Sequence, residues 1–166
     1  MNSTENRTSN EYLVFSLKGE RYALPVEEVR EVLDLRKITR IPGAPSYMRG
    51  IINVRGAVVP VVDLRMKFDS GIMEADDDTQ SIIVLDLSKR GLSASLGILT
   101  DTVDAVLHIG EEMIDQPPQI GGSGGSGDAN YFKGIGKLED SFVMILDTGK
   151  MFSAEDLVYG SDPASV

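Results

Sequence analysis

From Tyr12 the side chains alternate as a half-buried strand requires. Leu13, Phe15 and Leu17 fall on one side, Val14, Ser16 and Lys18 on the other. Gly19-Glu20 stands where a tight hairpin turn belongs, and Arg21 to Leu24 reads as the return strand. Pro25-Val26-Glu27-Glu28-Val29 reads as one helical turn, because proline suits the first helical position and two acids suit the positive end of the helix dipole. Beyond it Val29, Glu31 and Leu33 alternate, while Val26, Val29 and Leu33 also satisfy helical spacing; a strand after a single turn is the reading taken. Ile41-Pro42-Gly43-Ala44-Pro45 is a rigid loop. The run Val58-Val59-Pro60-Val61-Val62 is β-branched but interrupted by proline, which removes a ladder donor and predicts an edge strand or a bulge.

The pattern is then written a second time. YMRGIINVRGAVVPVVDLRMKF at 47–68 returns as YFKGIGKLEDSFVMILDTGKMF at 131–152, with Tyr47, Gly50, Ile51, Val59, Asp63 and Phe68 recurring as Tyr131, Gly134, Ile135, Val143, Asp147 and Phe152. Upstream, Ile82 to Leu87 mirrors the strand beginning at Tyr12, Ser93 to Leu99 is its return strand, and Val103, Val106 and Leu107 match Val29, Val32 and Leu33. One small fold is used twice. Short strands with turn signals at close spacing predict small barrels rather than α/β layers. The turn between the matched strands is not retained: Asn53-Val54-Arg55-Gly56 becomes Lys137-Leu138-Glu139-Asp140, so the copies share a scaffold and differ in what they touch. Residues 69–80 form an acidic connector, Gly121 to Gly127 (GGSGGSG) a flexible loop within 121–129, and Ser153 the N-cap of a short final helix.

Composition narrows the function. The 166 residues are 42% hydrophobic, enough for one full domain or two small ones. No apolar run reaches the ~20 residues of a membrane helix, and the N-terminal MNSTENRTSNE lacks the basic and apolar parts of a signal peptide. Zero cysteines exclude disulfides and make the cytoplasm the default location. The net charge of −10 argues against a nucleic-acid backbone as partner. Residues 30–67 nevertheless hold eight basic side chains against three acidic ones, so an island of +5 sits in a remainder of −15. Such an island fits an acidic protein partner, or is a solvated barrel rim.

No catalytic, metal or cofactor site is predicted. Nucleophilic triads need histidine or cysteine, and His108, following Val106-Leu107, reads as a structural or rim residue. Asp76-Asp77-Asp78 lacks the spacing and closing glutamate of a calcium loop, and the glycine run lacks the Lys-Ser/Thr of a phosphate loop. Asp63 and Asp147, retained in both copies, read as acceptors for a turn rather than an acid/base pair.

IPGAPSYMRGIINVRGAVVPVVDLRMKF (41–68) resembles the CheW family of bacterial chemotaxis coupling proteins, and YLVFSLKGERYALPVEEVREVL, QPPQI (116–120) and the 131–152 copy extend the resemblance along nearly the whole chain. The resemblance implies an all-β fold of two SH3-like five-stranded β-barrel subdomains packed together, with short helices. It places the domain at 11–158, between a tail at 1–10 and another at 159–166, with intertwined subdomains of about 11–35 and 41–150 sharing strands. It implies a non-catalytic adaptor that joins the cytoplasmic tip of methyl-accepting chemoreceptors to the regulatory domain of the CheA histidine kinase, without entering the membrane. By the same resemblance Val29, Glu31, Gly50 and Arg55 bind the receptor, and Asn53 and Gly56 support the turn. Chemistry is compatible: Arg55 suits a bidentate bond to a carboxylate, Gly56 a positive φ, Gly50 a close backbone approach, Glu31 an acceptor within the basic island, and Val29 an apolar anchor. The same residues also read as a plain hairpin turn, a strand-surface charge and core. Two other functions compete: an adaptor for a non-chemotactic kinase system, and a small-barrel nucleic-acid binder, which the few aromatics in the island disfavour.

Overall fold

The computed structural model describes residues 10–68, 81–88, 95–116 and 131–152. The connector 69–80, the glycine-serine loop, residues 117–120 of QPPQI, the helix expected from Ser153 and both tails lie outside the described residues. The strands are β1 (Glu11–Leu17), β2 (Glu20–Pro25), β3 (Val29–Asp34), β4 (Met48–Val54), β5 (Ala57–Val62), β6 (Ser81–Asp86), β7 (Ser95–Thr100), β8 (Thr102–His108), β9 (Ile114–Asp115), β10 (Phe132–Lys137) and β11 (Phe142–Leu146). Two short helices, α1 (Leu64–Phe68) and α2 (Thr148–Met151), follow β5 and β11, and single 3₁₀ turns occupy Val26–Glu28 and Glu111–Met113. Thus a single turn does precede β3, where proline ends one strand and alternation starts the next.

The strands form two sheets in two compact units. The first unit takes residues 1–27 and 103–151 and carries the order β8-β1-β2-β11-β10-β9; the second takes 28–102 and the chain from Phe152 onward, with the order β3-β6-β7-β5-β4. The plan is the same in both. A hairpin (β1–β2, or β6–β7) is flanked on one side by β8 or β3 and on the other pairs in parallel with β11 or β5. The hairpin and the strands it joins come from different copies of the repeat, so each unit is woven from both.

Each unit has its own core. In the second, Ile52, Val59, Val61, Ile82, Val84 and Leu99 cluster, with Leu33 and Val54 packed against them. Leu33 lies on β3 and Val54 on β4, the two ends of the sheet order, so the sheet curls until its edges line one interior: a barrel. In the first, Tyr12, Val14, Ala23, Ile109, Val143 and Ile145 cluster, and Leu107 of β8 and Ile114 of β9, the two ends of that sheet order, both pack against them.

Two expectations shift. The β1–β2 turn is Lys18-Gly19, both at positive φ (53° and 83°), with Leu17 opposite Glu20; a two-residue turn of this twist matches the strands, so the turn falls one residue earlier than Gly19-Glu20. Pro60 does not mark an edge, because β5 lies between β7 and β4. The register irregularity falls in β4, between Met48 and Gly50. Proline is tolerated because Pro60 faces Ile51, whose N–H and C=O are both spent on Thr39 (2.8 and 2.9 Å). The missing donor therefore costs no bond to β4, and the parallel ladder to β7 begins one residue on, at Val61.

The two aspartates hold equivalent turns. Asp63 N–H donates to the Tyr47 carbonyl at 2.8 Å, and Asp147 N–H to the Tyr131 carbonyl at 2.8 Å; each Oδ1 accepts the backbone N–H two residues on, from Arg65 or Gly149, at 3.0 Å. The copies differ in charge. Asp63, 1% exposed, is gripped by Arg65 (Nε to Oδ1 3.0 Å, Nη2 to Oδ2 2.9 Å) and by Arg49 (3.2 Å). Burial pushes its carboxyl up, but the hydrogen bonds and charges of Arg65, then Arg49, outweigh it and hold the pKa below the usual aspartate value. Asp63→Asn is expected to cost about 3 kcal/mol in urea melts, since it removes the buried carboxylate charge that Arg65 and Arg49 both hold. Asp147→Asn, whose new side chain still caps, is expected to cost only a few tenths. Because Asp63 has the lower pKa when folded, its contribution is complete above the ordinary aspartate range and fades as pH falls through the folded value. The variant's acid-unfolding curve is correspondingly flatter there.

Candidate protein-binding site

The β4–β5 hairpin ends in Arg55-Gly56, both at positive φ (52° and 88°), with Val54 opposite Ala57. Gly56 takes that conformation without penalty; Arg55 carries a β-carbon into it, which costs about 1 kcal/mol. Asn53 steadies the turn by accepting the Gly56 N–H on Oδ1 at 2.8 Å. Arg55 is 75% exposed, yet its guanidinium is fixed: Nη1 donates to Glu31 Oε2 at 2.6 Å and Nη2 to Oε1 at 2.9 Å. This fork-to-carboxylate pair joins β3 to the far edge of the sheet, the same closure that the core shows.

Glu31 is 18% exposed and follows a register irregularity between Val29 and Glu31 that sets it opposite Val84, on the side that Leu33 uses to meet the core. The Arg55 hydrogen bonds hold the Glu31 carboxyl below its ordinary value, against slight desolvation, with Arg55, Arg30 and Arg36 adding to the effect; Glu31 in turn raises Arg55. Two of the five guanidinium N–H groups are engaged, so an exposed cation remains available in a set orientation.

Of the residues singled out in the sequence, Glu31, Asn53, Arg55 and Gly56 therefore meet at one tip. Gly50 does not join them. It is buried at φ +148°, where a β-carbon would overlap the Thr39 carbonyl and sit 2.8 Å from Ile38 Cγ2. Its freedom from a side chain lets residues 38–39 lie against β4, and the equivalent Gly134 admits Ile114 and Asp115 in the same way. Val29 is half-buried at the start of β3, two residues before Glu31.

The basic island is smaller than its count. Arg49 and Arg65 turn onto Asp63, Arg55 onto Glu31, and Arg30 donates to Ser95 Oγ at 2.8 Å, while Lys67 Nζ lies 4.0 Å from the Tyr47 ring centroid. Arg36, Lys37 and Arg40 remain on the exposed segment after β3. Sequence reasoning missed the Asp63 network. Its signal was Asp63-Leu64-Arg65 in one copy against Asp147-Thr148-Gly149 in the other. Among the described residues no group of three or more acidic or histidine side chains is placed to hold a metal ion, and no helix is long and apolar enough to cross a membrane.

Two barrels of one plan, with a clamped cation at one tip and acids at the matching tip, define a small all-β module with two unlike turns. The CheW-like domain family matches residues 11–156. Chemotaxis protein CheW of Klebsiella aerogenes is 31% identical over 147 residues, covering 89% of this chain and 84% of that protein. Chemotaxis protein CheW of Bacillus subtilis is 30% identical, covering 92% and 93%. The crystal structure of the scaffolding protein TtCheW from Thermoanaerobacter tengcongensis superposes with a TM-score of 0.72 at 33% identity, covering 86% and 87% of the two chains. The chain belongs to the CheW family, as a chemotaxis adaptor with the two SH3-like subdomain fold.

Proposed function

We propose that this adaptor couples methyl-accepting chemoreceptors to a CheA-type histidine kinase in the cytoplasm, without bond-making chemistry of its own. Arg55 carries the reading. The turn itself does not call for arginine: Arg55 sits exposed at a positive φ that asparagine or glycine takes more readily. Its fork suits a carboxylate or carbonyl on the receptor's cytoplasmic tip, and Glu31 holds it ready, which lowers the ordering cost of binding. Val29 and Glu31 flank the contact on β3. Gly50 acts behind it, by seating residues 38–39 beside Arg36, Lys37 and Arg40. The test is co-sedimentation of the intact chain with receptor signalling fragments and CheA. The expected result is a ternary complex that needs this chain to recruit kinase; kinase recruitment unchanged by its omission overturns the proposal.

A further inference from the structure

The two units, alike in plan, differ in how the chain supplies them. Every described strand of the second unit lies within the unbroken stretch 28–102, to which the chain returns only at Phe152. The first unit is assembled from the two flanks, 1–27 and 103–151. Its internal contacts therefore join distant residues. Ser16 Oγ donates to Asp104 Oδ2 at 2.9 Å across 88 positions, β2 pairs in parallel with β11 through Tyr22–Met144 and Ala23–Ile145, and the Ile109 N–H reaches the Asn10 carbonyl at 2.8 Å.

We propose that stability in this molecule is hierarchical: the second unit stands on its own contacts, and the first unit stands only while the second is folded. Loop closure is the reason. When 28–102 is folded, its two ends leave from β3 and β7, both neighbours of β6, and are held at a fixed separation. When it unfolds, the same stretch becomes a long free loop that β1–β2 and β8–β11 must close without help, at an entropic cost that rises with loop length. The reverse dependence is weak, because unfolding the flanks leaves the strand pairs β3–β6, β6–β7, β7–β5 and β5–β4 intact. The chain can therefore open at β1, β2 and β8 to β11 while the Glu31–Arg55 pair, which lies wholly in the second unit, stays closed.

Native-state hydrogen exchange on the full chain, across a denaturant series, tests this. Val143→Ala, in the first core, is expected to speed exchange of β1, β2, β10 and β11 amides several-fold and of β6 and β7 amides by the same factor, because unfolding the second unit includes losing the first. Val84→Ala, in the second core, is expected to speed β6 and β7 only, because β1 and β2 open while the second unit stays folded. Unaltered β6–β7 exchange in Val143→Ala would mean two independent units, and faster β1–β2 exchange in Val84→Ala would mean one cooperative body; either overturns the hierarchy. If a truncation prevents folding, Ile145→Val and Ile82→Val carry the same comparison with a smaller perturbation.

Discussion

Arg55→Glu is expected to weaken receptor binding on the order of a hundredfold, as reversal at a centrally placed contact does, and to leave the thermal melt nearly unchanged. The first half follows from charge. The substitution removes a forked donor and sets a carboxylate beside Glu31, so the tip would repel the acceptor it now attracts. The second half follows from exposure: at 75% exposed the side chain contributes little to the core, and an exposed ion pair is worth at most about 1 kcal/mol. Arg55→Asn separates the turn from the contact. Asn-Gly is the preferred pair for a turn with two positive φ angles, so this variant is expected to hold or raise the melting temperature and still lose binding. Titration of the receptor fragment beside a thermal melt reads both. Binding retained in both variants would remove Arg55 from the site.

Gly50→Ala is expected to act in the opposite way, through the fold. The residue sits at φ +148°, and a methyl group there overlaps the Thr39 carbonyl, so the two Thr39–Ile51 hydrogen bonds must break or the strand must move. Backbone strain and the lost bonds together suggest about 3 kcal/mol, or a fall in melting temperature of roughly 6–12 °C for a domain of this size. Gly134→Ala should cost less, because the nearest atom is the Ile114 Cγ2 methyl, which can give, and the Asp115 carbonyl lies at 2.9 Å. The ordering is checked by melting the two variants side by side. A Gly50→Ala protein as stable as the parent would mean that residues 38–39 are not seated by this glycine.

Much of the fold was legible because it rests on patterns that chemistry restricts. The strands at Tyr12 and Ile82, the single turn after proline, and the copied Tyr–Asp framework each follow from local preference. The alternation around Leu13 did not carry over to burial: Leu13 and Val14 are both buried, and the first core takes Tyr12 and Val14. What escaped is long-range. Pro60 looked like an edge residue because its missing donor is visible in sequence, whereas Thr39, which takes up both backbone groups of the facing Ile51, is not. Arg49 and Arg65 looked like surface charge because composition counts cations without showing that Asp63 engages two of them. At the tip, Arg55, Gly56 and Asn53 could be proposed from the motif, and Glu31 from resemblance. That Glu31 already occupies the arginine depends on sheet curvature, which no local pattern encodes.

The weaving of the two repeats has an evolutionary corollary. With the connectivity kept, an ancestor carrying one repeat would complete its barrels only by lending its hairpin to a twin and borrowing the twin's in return, a symmetric homodimer with identical tips. Fusing the genes makes the tips separately heritable. One copy could then keep Arg-Gly while the other drifted to Glu-Asp, leaving unlike tips on a single chain.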